Sequence, residues 1–102
     1  MSNQFSYKVF REGDDTLLAI SDLTIIGKVF EEKDLQIEVS KDFYHDKECN
    51  SDHVKKLFRN ATIINAVGKN IISLMVKDNL VEKESVLIIG GVPHAQVIKI
   101  KS

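Results

Sequence analysis

The sequence contains little cysteine and proline, and it lacks a long apolar segment. Its single cysteine, Cys49, excludes an intramolecular disulfide and suits a reducing compartment. No apolar run approaches the roughly 20 residues that a membrane-spanning helix requires. The first residues also lack the basic stretch and apolar core of a signal peptide. Together these absences predict a cytoplasmic protein without a membrane partner.

An excess of charge of either sign is also missing. The chain carries 14 basic and 15 acidic residues, a net charge of -1, so no overall field draws it to nucleic acid or anionic lipid. Any basic surface must therefore be local. The hydrophobic fraction of 43% and the charged fraction of 28% are ordinary for a folded protein. A length of 102 residues predicts a single domain over residues 1–102.

Two hairpins are predicted, one near each end of the chain. Residues 5–9 alternate apolar and polar side chains, the pattern of a half-buried strand, and Gly13 marks the turn into a second strand over residues 16–20. Near the C-terminus, apolar residues 86–89 and 97–100 flank residues 90–96, which read Gly-Gly-Val-Pro-His-Ala-Gln. We call these seven residues the GGVPHAQ segment.

Shorter elements are predicted between the first hairpin and the middle of the chain. Asp22 is a candidate cap for a short helix that Gly27 would end in a left-handed conformation. Residues 35–39 alternate apolar and polar side chains and predict a third strand.

The next residues are polar and predict a loop over residues 41–50, anchored by the rings of Phe43 and Tyr44. Asn50 or Ser51 can cap a helix that follows.

A second, longer helix is predicted over residues 61–78. On a helical wheel its apolar residues occupy one half, and Gly68 falls inside that buried face, which indicates close approach of another backbone. Asn79 is suited to a left-handed stop. The predicted order is β-β-short α-β-α-α-β-β, an α+β fold. Its mostly antiparallel sheet of about five strands is covered on one face by the long amphipathic helix.

The GGVPHAQ segment combines residues that shape a backbone with residues that carry chemistry. Gly90 and Gly91 permit positive φ and expose backbone N–H groups that can hold an anion. Pro93 restricts the residue before it, which fixes the direction of His94. A histidine held in this way suits proton transfer or hydrogen bonding. The alternative is that the glycines and the proline only shape a tight connection.

Other candidate chemistry is weaker. His45, Cys49 and His53 recur every four residues, but this is not a known zinc-finger spacing, and we predict no metal site. Nothing matches the phosphate-loop or dinucleotide fingerprints, so no cofactor is predicted. No nucleophile with an adjacent base can be identified from the sequence.

Four ordered motifs resemble a family of archaeal conserved proteins, domain of unknown function 424. They are the GGVPHAQ segment, Asp22 with residues 27–30, residues 43–44, and residues 65–69. The resemblance covers residues 7–100. Two positions depart from the family pattern: His45-Asp46 follows the Phe-Tyr pair, and Asn79 stands where glycine is frequent. Both lie at predicted loop or cap positions, so they do not put the fold in doubt.

The resemblance gives a lineage and a fold expectation, and it gives no reaction. It also directs attention to residues 65–69 and the GGVPHAQ segment, which we expect to approach one another through Gly68. Asn65, Lys69, His94 and Gln96 would then border one polar cleft. The predicted ligand-binding residues are Asn65, Lys69, Gly90, Gly91, His94 and Gln96.

Three functional hypotheses follow. The first is a binding module that contacts RNA or a ribosomal partner. Lys69 and the glycine turn would bind phosphate, and the polar side chains would form hydrogen bonds with bases. The second is a small enzyme that uses His94 as a general acid or base on an anionic substrate. The third is a structural protein, monomer or dimer, whose hairpin pairs with another copy.

Overall fold

The computed structural model describes residues 3–99, which form eight strands, three α-helices and two short 3-10 helices. The strands are β1 (Phe5–Glu12), β2 (Asp15–Asp22), β3 (Val29–Glu32), β4 (Leu35–Glu38), β5 (Lys47–Cys49), β6 (Ile63–Val67), β7 (Leu87–Ile89) and β8 (Val92–Ile98). The α-helices are α1 (Lys41–Tyr44), α2 (Ser51–Asn60) and α3 (Lys69–Lys77), and the 3-10 helices are Leu23–Ile25 and Lys83–Ser85.

Six strands form one sheet in the order β5-β1-β2-β6-β8-β7, and β3 pairs with β4 in a separate two-stranded sheet. Neighbours in the main sheet are antiparallel except β2 and β6, which run parallel. The predicted α+β class with a mostly antiparallel sheet is therefore confirmed, although the sheet has six strands instead of about five. No helix within residues 3–99 is long and apolar enough to cross a membrane.

Both predicted terminal hairpins are present. β1 and β2 pair along their full length, and Gly13 takes the left-handed conformation in the turn, with a φ of 59°. β7 and β8 are joined by Gly90 and Gly91 alone. Ile100, predicted as part of the last strand, lies outside the described residues.

The long amphipathic helix predicted over residues 61–78 is wrong. Residues 63–67 form β6, and only residues 69–77 are α-helical. Gly68 lies between them with a φ of 126°, a value that an α-helix does not contain. A short apolar run fits a buried strand or a buried helix, so periodicity does not distinguish them. β6 is hydrogen-bonded to β2 and β8 on its two edges, and this pairing overrides the helical pattern.

Residues 28–49 contain more regular structure than the sequence predicts. β4 coincides with the strand predicted over residues 35–39, but it pairs with β3 across a turn in which Lys33 has a φ of 55°. The predicted polar loop contains α1 and β5. Lysine does not signal a left-handed turn as glycine or asparagine does, so the β3–β4 hairpin is not visible in the sequence.

The predicted helix ends are partly confirmed. Asn50 Oδ1 accepts a hydrogen bond from the backbone N–H of His53 at 3.1 Å, which caps α2. Asn79 is left-handed after α3, with a φ of 60°. The short helix after Asp22 is present as a 3-10 turn, and Gly27 follows it with a φ of 87°. The Asp22 side chain, however, makes no capping bond to that turn.

Two apolar cores lie on opposite faces of the main sheet. One contains Ile20 and Ile64 and is covered by α2 and α3; we call this side the helix face. The other contains Ala19 and Val67 and is partly covered by α1 and the β3–β4 hairpin; we call it the hairpin face. Successive strand residues point to opposite faces. The residues of β6 and β8 that share a face with Val67 therefore belong to the hairpin face.

Candidate functional site

Three of the six predicted site residues lie side by side on the hairpin face. Asn65 in β6 is directly opposite Gln96 in β8, and His94 is one step along the same face, opposite Val67. Asn65 and His94 are half-buried, and Gln96 is exposed. Side chains alternate between the two faces along each strand, and directly opposite residues of paired strands point to the same face. The pairing of β6 with β8 therefore brings these three side chains together.

Asn65 orients the ring of His94. The Asn65 Oδ1 atom lies 3.0 Å from His94 Nε2 and accepts a second hydrogen bond, at 2.7 Å, from the hydroxyl of Tyr44. Burial raises the pKa of Tyr44 to about 12, so its phenol is protonated and donates. Because an amide oxygen only accepts, His94 Nε2 carries the hydrogen. In the neutral ring, Nδ1 is then the unprotonated nitrogen.

His94 is held in its neutral form. Burial lowers its pKa from the ordinary value of 6.5, since the imidazolium loses hydration in this position. Within residues 3–99, Nδ1 has no hydrogen-bond partner, and it is not an enclosed atom. A neutral imidazole with an accessible Nδ1 can accept a hydrogen bond from a ligand or take a proton from one.

The hairpin face stays open beyond these three residues. Two neighbouring cross-strand rows lie on this face. The first consists of Lys8, Ala19, Asn65 and Gln96, and the second consists of Phe10, Leu17, Ile63 and Ile98. All four residues of the second row are half-buried or exposed, and Ile98 is 65% exposed. We call His94 and these two rows, apart from the buried Ala19, the open surface. A row of partly exposed apolar residues across four strands is consistent with an interaction surface.

Phe10 is fixed at one edge of the open surface. Its ring stacks on that of Phe43, with 5.3 Å between centroids, and Phe43 meets Tyr44 edge-on. The ammonium of Lys8 lies 5.2 Å from the centroid of Phe10 and donates to the backbone oxygen of Asp42 at 3.0 Å. The two aromatic side chains predicted as anchors, Phe43 and Tyr44, thus support this edge of the surface.

The glycine turn of the GGVPHAQ segment is a structural feature of the β7–β8 hairpin. Gly90 and Gly91 have φ values of 58° and 83°, as a two-residue hairpin turn with both central residues left-handed requires. The backbone N–H of Gly90 donates to the carboxylate of Glu32 at 3.1 Å. One N–H group predicted to hold an anion therefore already holds a carboxylate of the β3–β4 hairpin.

Asp22 organises the junction of β2, β6 and α3, a role that the sequence assigns to a different helix. Its Oδ2 and Oδ1 accept hydrogen bonds from the backbone N–H groups of Asn70 and Ile71, at 2.9 and 2.8 Å. Burial raises the pKa of the carboxyl, and these two hydrogen bonds offset part of the rise. A Cβ placed on Gly68 would lie 2.5 Å from Asp22 Cγ, so only glycine admits this cap.

Lys69, the first residue of α3, lies between two open cavities. The first, about 510 Å³, is lined by Lys69, Ile72, Ser73, Val76, Lys83, Val86, Ile88 and Pro93. The second, about 450 Å³, is lined by Asp22, Thr24, Ile25, Gly68, Lys69, Asn70, Gly90, Gly91 and Val92. Three predicted site residues, Lys69, Gly90 and Gly91, therefore share the second cavity.

Family membership follows from a match along most of the chain. The model of the family described as "Protein of unknown function (DUF424)" matches residues 10–100. The chain belongs to the DUF424 family. The matched region contains Asp22, β6, Gly68, α3 and the GGVPHAQ segment, and it confirms the resemblance drawn from the sequence motifs.

A solved structure shares the fold of this DUF424 protein. It is the crystal structure of an uncharacterized conserved protein from the archaeon Methanopyrus kandleri, with a TM-score of 0.79 and 26% sequence identity. The similarity covers 96% of this chain and 95% of that one. None of the curated proteins compared with the chain matches it. Function therefore has to be argued from the site.

The DUF424 protein does not form the single polar cleft expected from the sequence. Asn65, His94 and Gln96 lie on the hairpin face, whereas Lys69 belongs to α3, which packs on the helix face. The expectation failed because it placed Asn65 and Lys69 one turn apart on a helix. In the structure, Gly68 separates a strand that carries Asn65 from a helix that starts with Lys69.

The three residues weighed as metal ligands have separate partners. His45 Nδ1 lies 2.6 Å from Ser6 Oγ, and His53 lies beside the ring of Tyr7. Cys49 is buried, and burial raises the pKa of its thiol to about 11. Within residues 3–99, no group of three or more histidine, cysteine or acidic side chains is arranged to hold a metal ion.

The Ser6–His45 contact is a structural hydrogen bond. Ser6 is fully buried, and its hydroxyl donates to the backbone oxygen of Tyr44 at 2.9 Å. With that proton engaged, His45 is the donor to Ser6 Oγ. These hydrogen bonds connect the end of α1 to β1. The buried Ser6 hydroxyl is not accessible to a substrate.

Proposed function

We propose that this DUF424 protein is a cytoplasmic, non-catalytic binding module whose open surface binds unpaired RNA. The observation that carries the proposal is the position of Asn65, His94 and Gln96 on one accessible sheet face. They adjoin a partly exposed apolar row and the ammonium of Lys8. Sequence-specific RNA recognition uses splayed bases that lie on apolar or aromatic side chains and offer their edges to polar ones.

The polar groups of the open surface suit uncharged base edges. The amide of Gln96 offers donors and an acceptor, and neutral His94 offers an acceptor at Nδ1. The amide of Asn65 offers only its N–H donors, because its oxygen already accepts hydrogen bonds from Tyr44 and His94. The apolar row beside them supplies area for base faces. This division of roles supports recognition of unpaired nucleotides over recognition of a regular duplex, whose bases are stacked and whose deep groove is closed to side chains.

The charge of the chain supports binding dominated by base contacts. The net charge is -1, and among the described residues Lys8 is the one basic residue in the two rows of the open surface. Each phosphate contact with single-stranded nucleic acid contributes a slope of about -0.7 to the dependence of log affinity on log salt. One or two such contacts predict a slope no steeper than about -1.5.

A binding titration tests the proposal. Fluorescence anisotropy would follow a labelled pool of random 12-nucleotide RNAs at low salt, with a 12-base-pair RNA duplex as comparison. Gln96→Ala is expected to weaken binding of the pool by about 5- to 10-fold, the value of one or two hydrogen bonds. Gln36→Ala is the matched control, because Gln36 is also an exposed strand glutamine, in β4.

Three results would contradict the proposal. The first is an absence of binding at low salt, and the second is equal affinity for the pool and the duplex. The third is equal behaviour of Gln96→Ala and Gln36→Ala. The open surface could instead pair with a second copy of the chain. In that case the purified protein would sediment as a dimer that Ile98→Asp dissociates, and this outcome also contradicts RNA binding by the same surface.

We place the RNA in the translation machinery, because ribosomal RNA is the most abundant folded RNA of a cell and presents unpaired loops. Sedimentation of a native lysate through a sucrose gradient tests this step. Migration with a ribosomal subunit that Gln96→Ala reduces and Gln36→Ala preserves is the expected result. Protein that stays at the top of the gradient at low salt would exclude stable ribosome association.

The alternative of an enzyme that uses His94 on an anionic substrate has less support. Its favourable feature is the accessible Nδ1 of a neutral, oriented imidazole. The glycine turn that was expected to bind the anion, however, donates its Gly90 N–H to Glu32. Ser6, which contacts His45, and Cys49, the single cysteine, are both buried. Binding therefore fits the site better than nucleophilic catalysis.

A further inference from the structure

The cavity of about 510 Å³ between α3 and β7 is an apolar groove with a cationic rim, and we call it the α3 groove. Its apolar lining consists of Ile72, Val76, Val86, Ile88 and Pro93. Ile88 is 49% exposed, so its side chain is accessible to a ligand in the groove. The volume lies in the range typical of small-molecule sites, about 300–1,000 Å³.

The charged residues that line the α3 groove, among those the structure describes, are both lysines. Lys69 starts α3, and Lys83 lies in the 3-10 turn before β7. Ser73 adds a hydroxyl to the lining. Glu82 and Glu84 flank Lys83 along the chain but do not line the groove. The groove is therefore complementary to a ligand that has an apolar body and a negative charge.

The positive end of α3 does not supply this complementarity. The N–H groups of Asn70 and Ile71 are bonded to the carboxylate of Asp22, which also carries a compensating negative charge. An anion in the groove would thus depend on the ammonium groups of Lys69 and Lys83. Removal of one of the two ammonium groups should therefore cause a large loss of affinity for the anion.

A second cavity extends the site beyond Lys69. It is more polar than the α3 groove, and its lining includes Asp22, Thr24, Asn70 and the Gly90–Gly91 turn. Lys69 lines both cavities. A ligand that is charged at one end would place its charge near Lys69 and its apolar body in the α3 groove. Solvent or a polar substituent of the ligand would occupy the second cavity.

We propose that the α3 groove binds an amphipathic anion, a medium-chain aliphatic carboxylate. The chain lies on Ile72, Val76, Val86 and Ile88, and the carboxylate contacts the ammonium groups of Lys69 and Lys83. This site is on the helix face, and it is independent of the proposed RNA surface on the hairpin face.

The test is a methyl-detected NMR titration of the intact protein with decanoate, 1-decanol and butyrate. Decanoate is expected to shift the methyl signals of Ile72, Val76, Val86 and Ile88. Decanol lacks the charge and butyrate lacks the chain, so each is expected to bind at least about 10-fold more weakly. Comparable affinity of decanol and decanoate would overturn the proposal, since the lysines would then have no role. So would an absence of decanoate binding.

Two lysine variants complete the test. Lys83→Gln is expected to weaken decanoate binding by about 10-fold, the lower end of the effect of one charged hydrogen bond. Lys77→Gln is the matched control, because Lys77 is an exposed lysine of α3 that does not line the groove. Equal decanoate affinity of the two variants would overturn the proposal. Unchanged RNA affinity in Lys83→Gln would show that the two sites are separate.

Discussion

Single residues hold the junction of β2, β6 and α3 together. The Asp22 carboxylate ends β2 and satisfies two backbone N–H groups at the start of α3. It is almost fully buried, so water cannot replace these hydrogen bonds. Gly68 leaves the space that the carboxylate occupies. The two residues form one interlocking unit, although 46 positions separate them in the sequence.

Substitution of Asp22 by alanine is expected to lower the free energy of unfolding by about 2 kcal/mol, because it removes a helix cap and leaves buried donors unpaired. Chemical denaturation measures this change. Asp46→Ala is the control, since Asp46 is exposed and should change stability by less than about 0.5 kcal/mol. Equal effects of the two variants would mean that the Asp22 cap contributes nothing to folding.

Gly68→Ala is expected to destabilise the protein by more than about 3 kcal/mol, because it combines backbone strain with displacement of Asp22. Gly91→Ala separates the two causes: Gly91 also has a positive φ, but a Cβ there meets open space, so the cost should be about 1 kcal/mol. In a double-mutant cycle, Asp22→Ala should reduce the cost of Gly68→Ala. If the changes in unfolding free energy of the two single variants simply add in the double variant, Asp22 and Gly68 are not coupled.

The burial of His94 predicts a dependence of stability on pH. Its pKa is lowered in the folded state, so the unfolded chain takes up a proton first as the pH falls. Stability should therefore be fully present above the unfolded value of about 6.5 and decline as the pH falls from there through the folded pKa. Unfolding free energies of the wild type and His94→Gln between pH 7.5 and 5.5 test this.

His94→Gln should flatten the decline between pH 7.5 and 5.5, and His53→Gln, at an exposed histidine, should leave it unchanged. A decline that both variants share equally would assign it to other groups.

At the scale of elements, the terminal hairpins and α2 follow from local sequence patterns, and β6 does not. The hairpins carry alternating residues and glycine turns, and α2 carries an asparagine cap, all of which act within a few residues. β6 owes its conformation to hydrogen bonds with β2 and β8, which are distant along the chain. The five residues of β6 give no local signal that excludes a helix. The spacing of apolar residues in the sequence therefore predicts one continuous helix where the structure has β6, Gly68 and α3.

The central position of β6 predicts slow hydrogen exchange. The amides of residues 64–66 lie between two paired strands, so they should exchange at least about 100-fold more slowly than those of the two-stranded β3–β4 sheet. Exchange followed by NMR measures both sets in one sample. Exchange in residues 64–66 as fast as in β3–β4 would contradict the assignment of β6 as the centre of the sheet.

At the scale of the whole molecule, the main sheet separates two candidate surfaces. The open surface, with Asn65, His94 and Gln96, lies on the hairpin face, and the α3 groove, with Lys69, lies on the helix face. All six predicted site residues come from the motifs that the sequence singles out. Their division into two places depends on the strand parity of β6 and on the turn at Gly68, which only the tertiary structure reveals.

The most direct test of RNA binding by the open surface is an NMR titration of the intact protein with the pool of random 12-nucleotide RNAs at low salt. Binding by the open surface predicts shifts of the side-chain amides of Asn65 and Gln96, of the His94 ring, and of the Ile63 and Ile98 methyl groups. The methyl signals of Ile72 and Val76 in the α3 groove should stay in place. Shifts confined to the α3 groove, or no shifts at all, would contradict RNA binding by the open surface.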